Sequence, residues 1–313
     1  MGAMTRTNAG ANSHKSRNRR RYQLLFMALP LMIMVIMFAY VPLFGWAYAF
    51  FDYKPGVPLF SNEFVGFKYF EQFLTDRWDM HRVMKNTLVL ALLNYAVSPL
   101  PMIFAILLNS VHHNWYKKTV QTLTTFPNFI SWIIVYSLAF QLFSSEGLIT
   151  EALANLGLIR KGYNVLSDAS AVYWFQTLMG QWKGLGWSSI IYMAAIAGID
   201  QELYEAAAID GANRFQSTLH ITVPGLIPTF IVLLLLGIGN FMNVGFDQYY
   251  IFKNAGNSDT IEVLDIYVYR IGMQNYKYSY GIAIGIMKSV VSMILLFSAN
   301  GISKLARDGQ SIF

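Results

Sequence analysis

Long apolar runs separated by polar connections set the pattern of the chain. The first run extends from Leu24 to about Trp46 and is followed by a polar stretch at 51–85. A second runs from Asn86 to about Val111, and a short basic connection, His112 to Thr119, leads to a third at about Val120 to Phe143. After a polar stretch at 144–170, a fourth has its core at about Lys183 to Gly198, with a start that can reach back to Ala171. The fifth spans Pro224 to about Gly245 and the sixth Gly281 to about Gly301, with a polar stretch at 246–280 between them. A helix needs about 20 apolar residues to cross a bilayer, and these runs supply them. Pro30, Pro42, Pro99 and Pro101 fall inside runs, where neighbouring helices can satisfy the freed backbone groups. The pattern predicts an all-α, polytopic membrane protein with six transmembrane helices, which places both termini on one side. Residues 1–21 read as a disordered basic tail, 22–301 as the six-span domain and 302–313 as a C-terminal tail.

One connection differs from the rest. Glu202 to Pro224 reads ELYEAAAIDGANRFQSTLHITVP, rich in alanine and polar residues at helical spacing. Alanine, glutamate and leucine favour helix, and Gly211 can adopt the left-handed conformation that ends one helix and redirects the chain. Pro224 suits the first turn of the helix that follows. The spacing therefore predicts two short helices over 202–222 joined at a glycine turn, forming a knob at a membrane face. An ordinary amphipathic surface hairpin has the same pattern.

Composition agrees with a membrane protein: 55% of the 313 residues are hydrophobic and 13% charged, against about 25% charged in an ordinary soluble domain. There is no cysteine, which excludes disulfides and thiol chemistry. The net charge of +6 raises the question of nucleic acid or lipid, and its distribution answers it. The two tails, the 112–119 connection and the knob carry eleven Lys/Arg against five Asp/Glu, whereas the other three connections carry ten against twelve. Lys and Arg are retained in the cytoplasm, so the termini and the knob are expected there. The run Lys15 to Arg21 lacks interleaved aromatics and any nucleic-acid module, so it reads as a solvated anchor. No Ala-x-Ala cleavage signal follows the first apolar run, which reads as a retained span.

Glu205-Ala206-Ala207, three residues, Gly211, nine residues, then Ile221-Thr222-Val223-Pro224 resembles the cytoplasmic coupling motif of permease subunits of binding-protein-dependent ABC importers. Val223 stands where that pattern usually has leucine. Further segments, among them Phe126-Pro127-Asn128-Phe129-Ile130-Ser131-Trp132, Trp182-Lys183-Gly184-Leu185-Gly186-Trp187 and Asn243-Val244-Gly245-Phe246-Asp247-Gln248, resemble the carbohydrate branch, which handles oligosaccharides and polysaccharide fragments, including acidic, alginate-like ones. The resemblance implies a type I ABC importer permease fold in a bacterial inner membrane. It also implies a homologous second permease subunit, two ATP-binding subunits docking on the coupling helices and an extracytoplasmic sugar-binding protein. By the same resemblance Glu205 would meet polar or basic groups of a cleft on the ATPase, and Ala206 and Ala207 would permit close approach. Asp210 and Gly211 would form the turn, and Ile221 and Pro224 would tie the knob to the fifth span.

No catalytic constellation is present in the sequence. A G-x-x-x-x-G-K-[ST] phosphate loop is absent, so no cofactor is expected on this chain, ATP and Mg being expected on the partner subunits. His112-His113 lacks a third ligand, so no metal site is expected. Candidate residues of a sugar path, chosen as aromatic platforms and hydrogen-bonding groups on the later spans, are Trp187, Tyr192, Asn240, Asn243, Gln248 and Lys288; interhelical glue or interface anchoring is the alternative for each. Asn240 and Asn243 are expected to share a helical face. Lys183 reads as an interfacial residue, and Lys288 either lines the cavity or pairs with a neighbouring helix. These lysines favour acidic, uronate-type oligosaccharides over neutral ones. A secondary transporter working without ATP is the reading from another class.

Overall fold

The structure, a computed structural model, describes residues 25–76 and 78–306, so the basic N-terminal tail and most of the C-terminal tail lie outside the described residues. The chain divides into two compact units, residues up to Tyr69 and residues from Phe70 onwards, where the sequence pattern suggested one domain over 22–301.

In the first unit, α1 (Leu25–Phe50) is a 26-residue apolar helix whose most apolar stretch buries none of its residues within the chain. Such a surface suits hydrocarbon rather than water. Pro42 donates no N–H and its ring crowds the carbonyl four residues back. The helix answers by widening: Ile36–Tyr40 forms a π turn in which the Val41 N–H reaches Ile36 O, and Val41–Phe50 continues as a tight 3-10 helix. A hairpin-like loop follows, closed by an antiparallel bridge between Phe51 and Phe64 and by the Asp52 N–H donating to Glu63 O at 2.8 Å. The rings of Phe60 and Phe64 meet Phe51 edge to face, and Tyr69 donates to Asp52 at 2.6 Å.

The chain passes through α2 (Lys68–Thr75) into the second unit. There α3 (Asp79–Ala96) and α4 (Leu100–Asn109) form one bent span, interrupted where Pro99 and Pro101 withhold their N–H groups. The run expected at 120–143 is also interrupted. α5 (Asn114–Thr125) gives way to a 3-10 turn at Phe126–Phe129 around Pro127, and α6 (Trp132–Phe143) restarts with Ser131 as its N-cap. Next come α7 (Leu148–Asn155), α8 (Val172–Ala197), α9 (Gln201–Ile209), α10 (Arg214–Ser217), α11 (Val223–Gly239), α12 (Asp247–Phe252), α13 (Ser258–Ile261), α14 (Leu264–Tyr269) and α15 (Tyr278–Ala306).

Five helical stretches among the described residues are long and apolar enough to cross a membrane: 25–50, 79–109, 132–155, 214–239 and 278–301. The expected fourth span, α8, is missing from these, although its 26 residues suffice in length. Its polarity fits its position. α8 packs against α3, α4, α5, α11, α12 and α13, so Gln176, Thr177 and Ser189 are buried against protein rather than lipid. Gly186 lets α8 approach closely: a Cβ there would lie 2.3 Å from the carbonyl carbon of Thr124 on α5. Small residues at such crossings are how membrane helices gain packing without a hydrophobic driving force. Two apolar clusters complete the unit, one around Leu90, Phe175, Tyr249, Phe252 and Ile266, the other around Ala105, Tyr192, Ile196 and Leu226.

Candidate functional site

Local chemistry fixes the α9–α10 knob at every joint. Asp200 caps α9 by accepting from the Glu202 N–H at 3.0 Å. At the other end Gly211 has φ +79°, and the Ala212 N–H reaches back to Ala207 O at 2.9 Å while the Gly211 N–H reaches Ala208 O at 3.1 Å. That pair of bonds is the Schellman arrangement, which requires the left-handed residue that glycine supplies. α10 begins with a capping box: the Gln216 N–H donates to Asn213 Oδ1 at 2.9 Å, and the Asn213 N–H donates to Gln216 Oε1 at 2.8 Å. A π turn at Thr218–Thr222 and Pro224 in the first turn of α11 then carry the chain into the fifth span.

Two contacts tie the knob to the bundle. Tyr204 on α9 and Thr222 share a hydroxyl hydrogen bond of 2.9 Å. Gly225 packs so tightly that a Cβ would come within 2.8 Å of Ile199 Cδ1. Arg214 also contacts His112 Nδ1 at 3.3 Å, bringing the 112–119 connection beside α10. Of the residues singled out in the motif, Glu205, Ala206, Asp210, Gly211 and Pro224 are exposed, and Ala207 and Ile221 are partly buried. Sequence reasoning passed over the apolar side chains beside them. Leu203, Ile209, Phe215 and Leu219 are exposed, Ile209 at 88% and Phe215 at 75%, on a segment otherwise polar enough for water. Their signal was available as apolar positions inside a charged connection. Large apolar side chains this exposed on one short segment make it a candidate protein contact.

The candidate path residues do not form one site. Tyr192 belongs to the apolar cluster with Leu226, and Gln248 is buried, its amide donating to Gln176 O at 2.8 Å and Gln176 Oε1 at 2.9 Å. Both act as interhelical packing. Trp187 stands edge to face with Phe129 on the half-exposed flank of α8. Because α11 ends at Gly239, six residues short of the expected Gly245, Asn240 and Asn243 occupy the turn after it rather than one helical face. Glycines at 237 and 239 and the Asn243 N–H bond to Asn240 O explain the early stop.

Asn243 and Lys288 do come together. They line a groove of about 400 Å³ with Gly239, Gly285, Ser289 and Ser292. Lys288 is paired with Asp265 of α14, the partner that an intramembrane lysine needs. Ser292 Oγ, buried at the same groove, has no hydrogen-bond partner among the described residues. Lys183 has partners within the chain. Its Nζ donates to Asn128 O at 2.8 Å and Pro127 O at 3.2 Å and lies 5.5 Å from the Trp132 ring centroid, so it caps the 3-10 turn between α5 and α6.

A charge cluster that the sequence did not disclose lies between α3 and the 253–270 segment. Glu262, its side chain 3% exposed, accepts from Arg82 at 2.8 Å, Arg270 at 2.8 Å and Lys253 at 3.1 Å. Burial alone would raise the carboxyl pKa, but the hydrogen bonds from Arg270 and Lys253 reverse that and hold it below the ordinary glutamate value. Asn86 of α3 donates to the carbonyls of Asp259 and Glu262, and Thr87 Oγ1 accepts from the Leu264 N–H at 2.9 Å, so the 253–270 segment is fastened to α3.

A bent, glycine-jointed membrane bundle with an apolar-faced knob ahead of its fifth span defines a permease subunit, and residues 98–308 match the family described as "Binding-protein-dependent transport system inner membrane component". The chain belongs to that family. It is 42% identical over 274 residues to protein LplB of Bacillus subtilis (strain 168), covering 86% of this chain and 84% of that one. It is 41% identical over the same length to the polygalacturonan/rhamnogalacturonan transport system permease protein YteP of that organism, with the same coverage. Among solved structures, a chain of a bacterial ABC transporter involved in the import of the acidic polysaccharide alginate superposes with a TM-score of 0.82 at 32% identity, covering 93% of this chain and 98% of that one. The alginate transporter bound to a periplasmic protein carrying an alginate pentasaccharide gives 0.84, also at 32% identity, over 95% and 98%. The all-α permease fold and the ABC importer class stand on these findings, and the secondary-transporter reading is set aside.

Proposed function

We propose that this chain is the non-catalytic permease half of an importer for acidic oligosaccharides, paired with a second homologous permease subunit. Two ATP-binding subunits hold ATP and Mg and dock on α9 and α10 at the cytoplasmic face, where both termini also lie. An extracytoplasmic binding protein delivers the sugar to the opposite face. The observation that carries the coupling role is the knob itself: a rigid turn at Gly211 presenting Ile209 and Phe215 to a partner while Tyr204 and Thr222 fasten it to the fifth span. A force applied at Ile209 has a route to α11 through the Tyr204–Thr222 hydrogen bond.

Substrate charge is supported by two relatives, a polygalacturonan/rhamnogalacturonan permease and an alginate importer, and by the groove where Asn243 and Lys288 meet. A uronate carboxylate entering that groove competes with Asp265 for the lysine, and the unpartnered Ser292 hydroxyl offers a hydrogen bond to a ring hydroxyl. Asn240, Trp187 and the coupling residues Glu205, Ala206, Ala207, Asp210, Ile221 and Pro224 remain assigned to path and docking face respectively. Detergent pull-down of the tagged permease pair tests the docking face. Wild type is expected to retain the ATPase subunits and the Ile209→Asp/Phe215→Asp double variant to lose most of them. Equal recovery from both removes the docking assignment.

A further inference from the structure

A second groove, of about 550 Å³, opens between α12 and the turn that follows α14. None of its lining residues belongs to the knob or to α11. Its wall carries two cations, Lys253 and Arg270, two amides, Asn254 and Gln274, and the rings of Tyr250 and Tyr269; no carboxylate lines it. The carboxylate that holds both cations sits behind the wall: Glu262 accepts from Arg270 Nε at 2.8 Å and from Lys253 Nζ at 3.1 Å. The aromatic side is equally fixed, with Tyr250 stacked on Phe246 at 4.8 Å and edge to face with Tyr269 at 5.5 Å.

Each feature selects a part of one kind of ligand. A pyranose ring has an apolar C–H face that lies against an aromatic side chain. Its hydroxyls suit carboxamides, and a carboxylate at C6 suits a guanidinium and an ammonium held in place. A neutral sugar would make no ion pair with the two cations, which share the single carboxylate of Glu262 behind the wall, and a flat protein surface would not fill a concave site. We propose that this groove is an entry subsite for an acidic oligosaccharide, holding one uronate residue against Tyr250 between Lys253 and Arg270 before the chain reaches the Asn243–Lys288 groove. This rests on the reading above that the cargo is acidic.

The test uses the assembled transporter in detergent, without its binding protein, and fluorescently labelled tetragalacturonate followed by anisotropy. Lys253→Gln and Tyr250→Ala are each expected to weaken binding about tenfold, as loss of a charge-assisted bond or a stacking face does, while Lys253→Arg stays close to wild type. Tyr250→Ala leaves the Glu262 cluster whole, so weaker binding there cannot be attributed to collapse of the ion pairs. Wild-type affinity in both variants, with uptake of uronates intact in the parent, overturns this subsite and leaves the importer reading in place. No binding of tetragalacturonate by wild type overturns the subsite, and uronate uptake by the parent then decides separately on the acidic cargo. In a separate titration with the binding protein, variants that lose affinity for that protein but keep it for tetragalacturonate show a protein-docking face instead and also overturn the subsite.

Discussion

Glu262 shows how one buried side chain organises a surface. Three cations converge on it, and each comes from a different part of the second unit: Arg82 from α3, Lys253 from the loop after α12, Arg270 from the end of α14. Its folded pKa is depressed, so its stabilisation is present above the ordinary glutamate value of about 4.3 and is lost as pH falls through the lower folded value. Glu262→Gln keeps the shape and removes the charge. Breaking a buried pair in this way leaves cations uncompensated, and because these three remain in partial contact with water the expected loss is about 2 kcal/mol, below the usual range for a fully buried pair. A thermal melt of the purified complex should show a lower midpoint for Glu262→Gln at pH 7. Below about pH 4.3 the wild type should lose stability more steeply than the variant as its own carboxylate protonates. Gly211 is the second residue whose role is physical rather than chemical. Nothing lies within 4 Å of a Cβ placed there, so substitution acts through its φ of +79° alone. Gly211→Val should strain the knob by about 2 kcal/mol and lower substrate-stimulated ATP hydrolysis, while Gly211→Asn, which tolerates the left-handed region, should keep most of it. Equal activities would show that the turn conformation is not what couples the knob.

Among elements, α8 is the axis of the second unit, and its crossing with α5 depends on one missing side chain. Gly186→Leu places atoms where the Thr124 carbonyl now lies, against backbone that cannot rotate away. The expected penalty is at the upper end of overpacking, about 3 kcal/mol, read as loss of folded protein in fluorescence-detected size exclusion. A monodisperse peak of wild-type height would mean that the two helices do not meet there. Elements of this kind also explain how far the sequence could be read. The knob was legible because its caps, its glycine and its proline each act within a few residues. The apolar runs gave the span positions, but not where they break: Pro127 split the third run, and the end of α11 came before Asn240 because glycines, which do not interrupt an apolar pattern, interrupt a helix. α8 shows the reverse limit. Its sequence is polar for lipid and becomes intelligible only with the neighbours that surround it. The same holds for the site residues. Tyr192 and Gln248 looked like sugar ligands by type, whereas their partners, Leu226 and Gln176, are 34 and 72 residues away in sequence and make them packing. No local pattern foretold that Asp265 would meet Lys288 or that Arg82 would meet Glu262, since both pairings arise from how loops fold back on distant helices.

At the scale of the whole molecule, the proposed tasks fall on different segments of the chain. The knob carries exposed apolar side chains, the face proposed for an ATPase, while the 250–274 segment carries cations and aromatic rings. Between them α11 is a continuous helix, and its last turn opens into the groove of Asn243 and Lys288. In the proposed mechanism, movement of the knob reaches the groove through this one helix, which carries Pro228 in its interior. The most direct measurement is ATP hydrolysis by the full complex in proteoliposomes, with its binding protein, across matched uronic-acid and neutral oligosaccharides. Stimulation by the uronic-acid series, abolished when Ile209 and Phe215 are both changed to aspartate, is the expected result. Stimulation by neutral oligosaccharides alone would contradict the acidic cargo, and stimulation that survives the double change would contradict coupling through the knob.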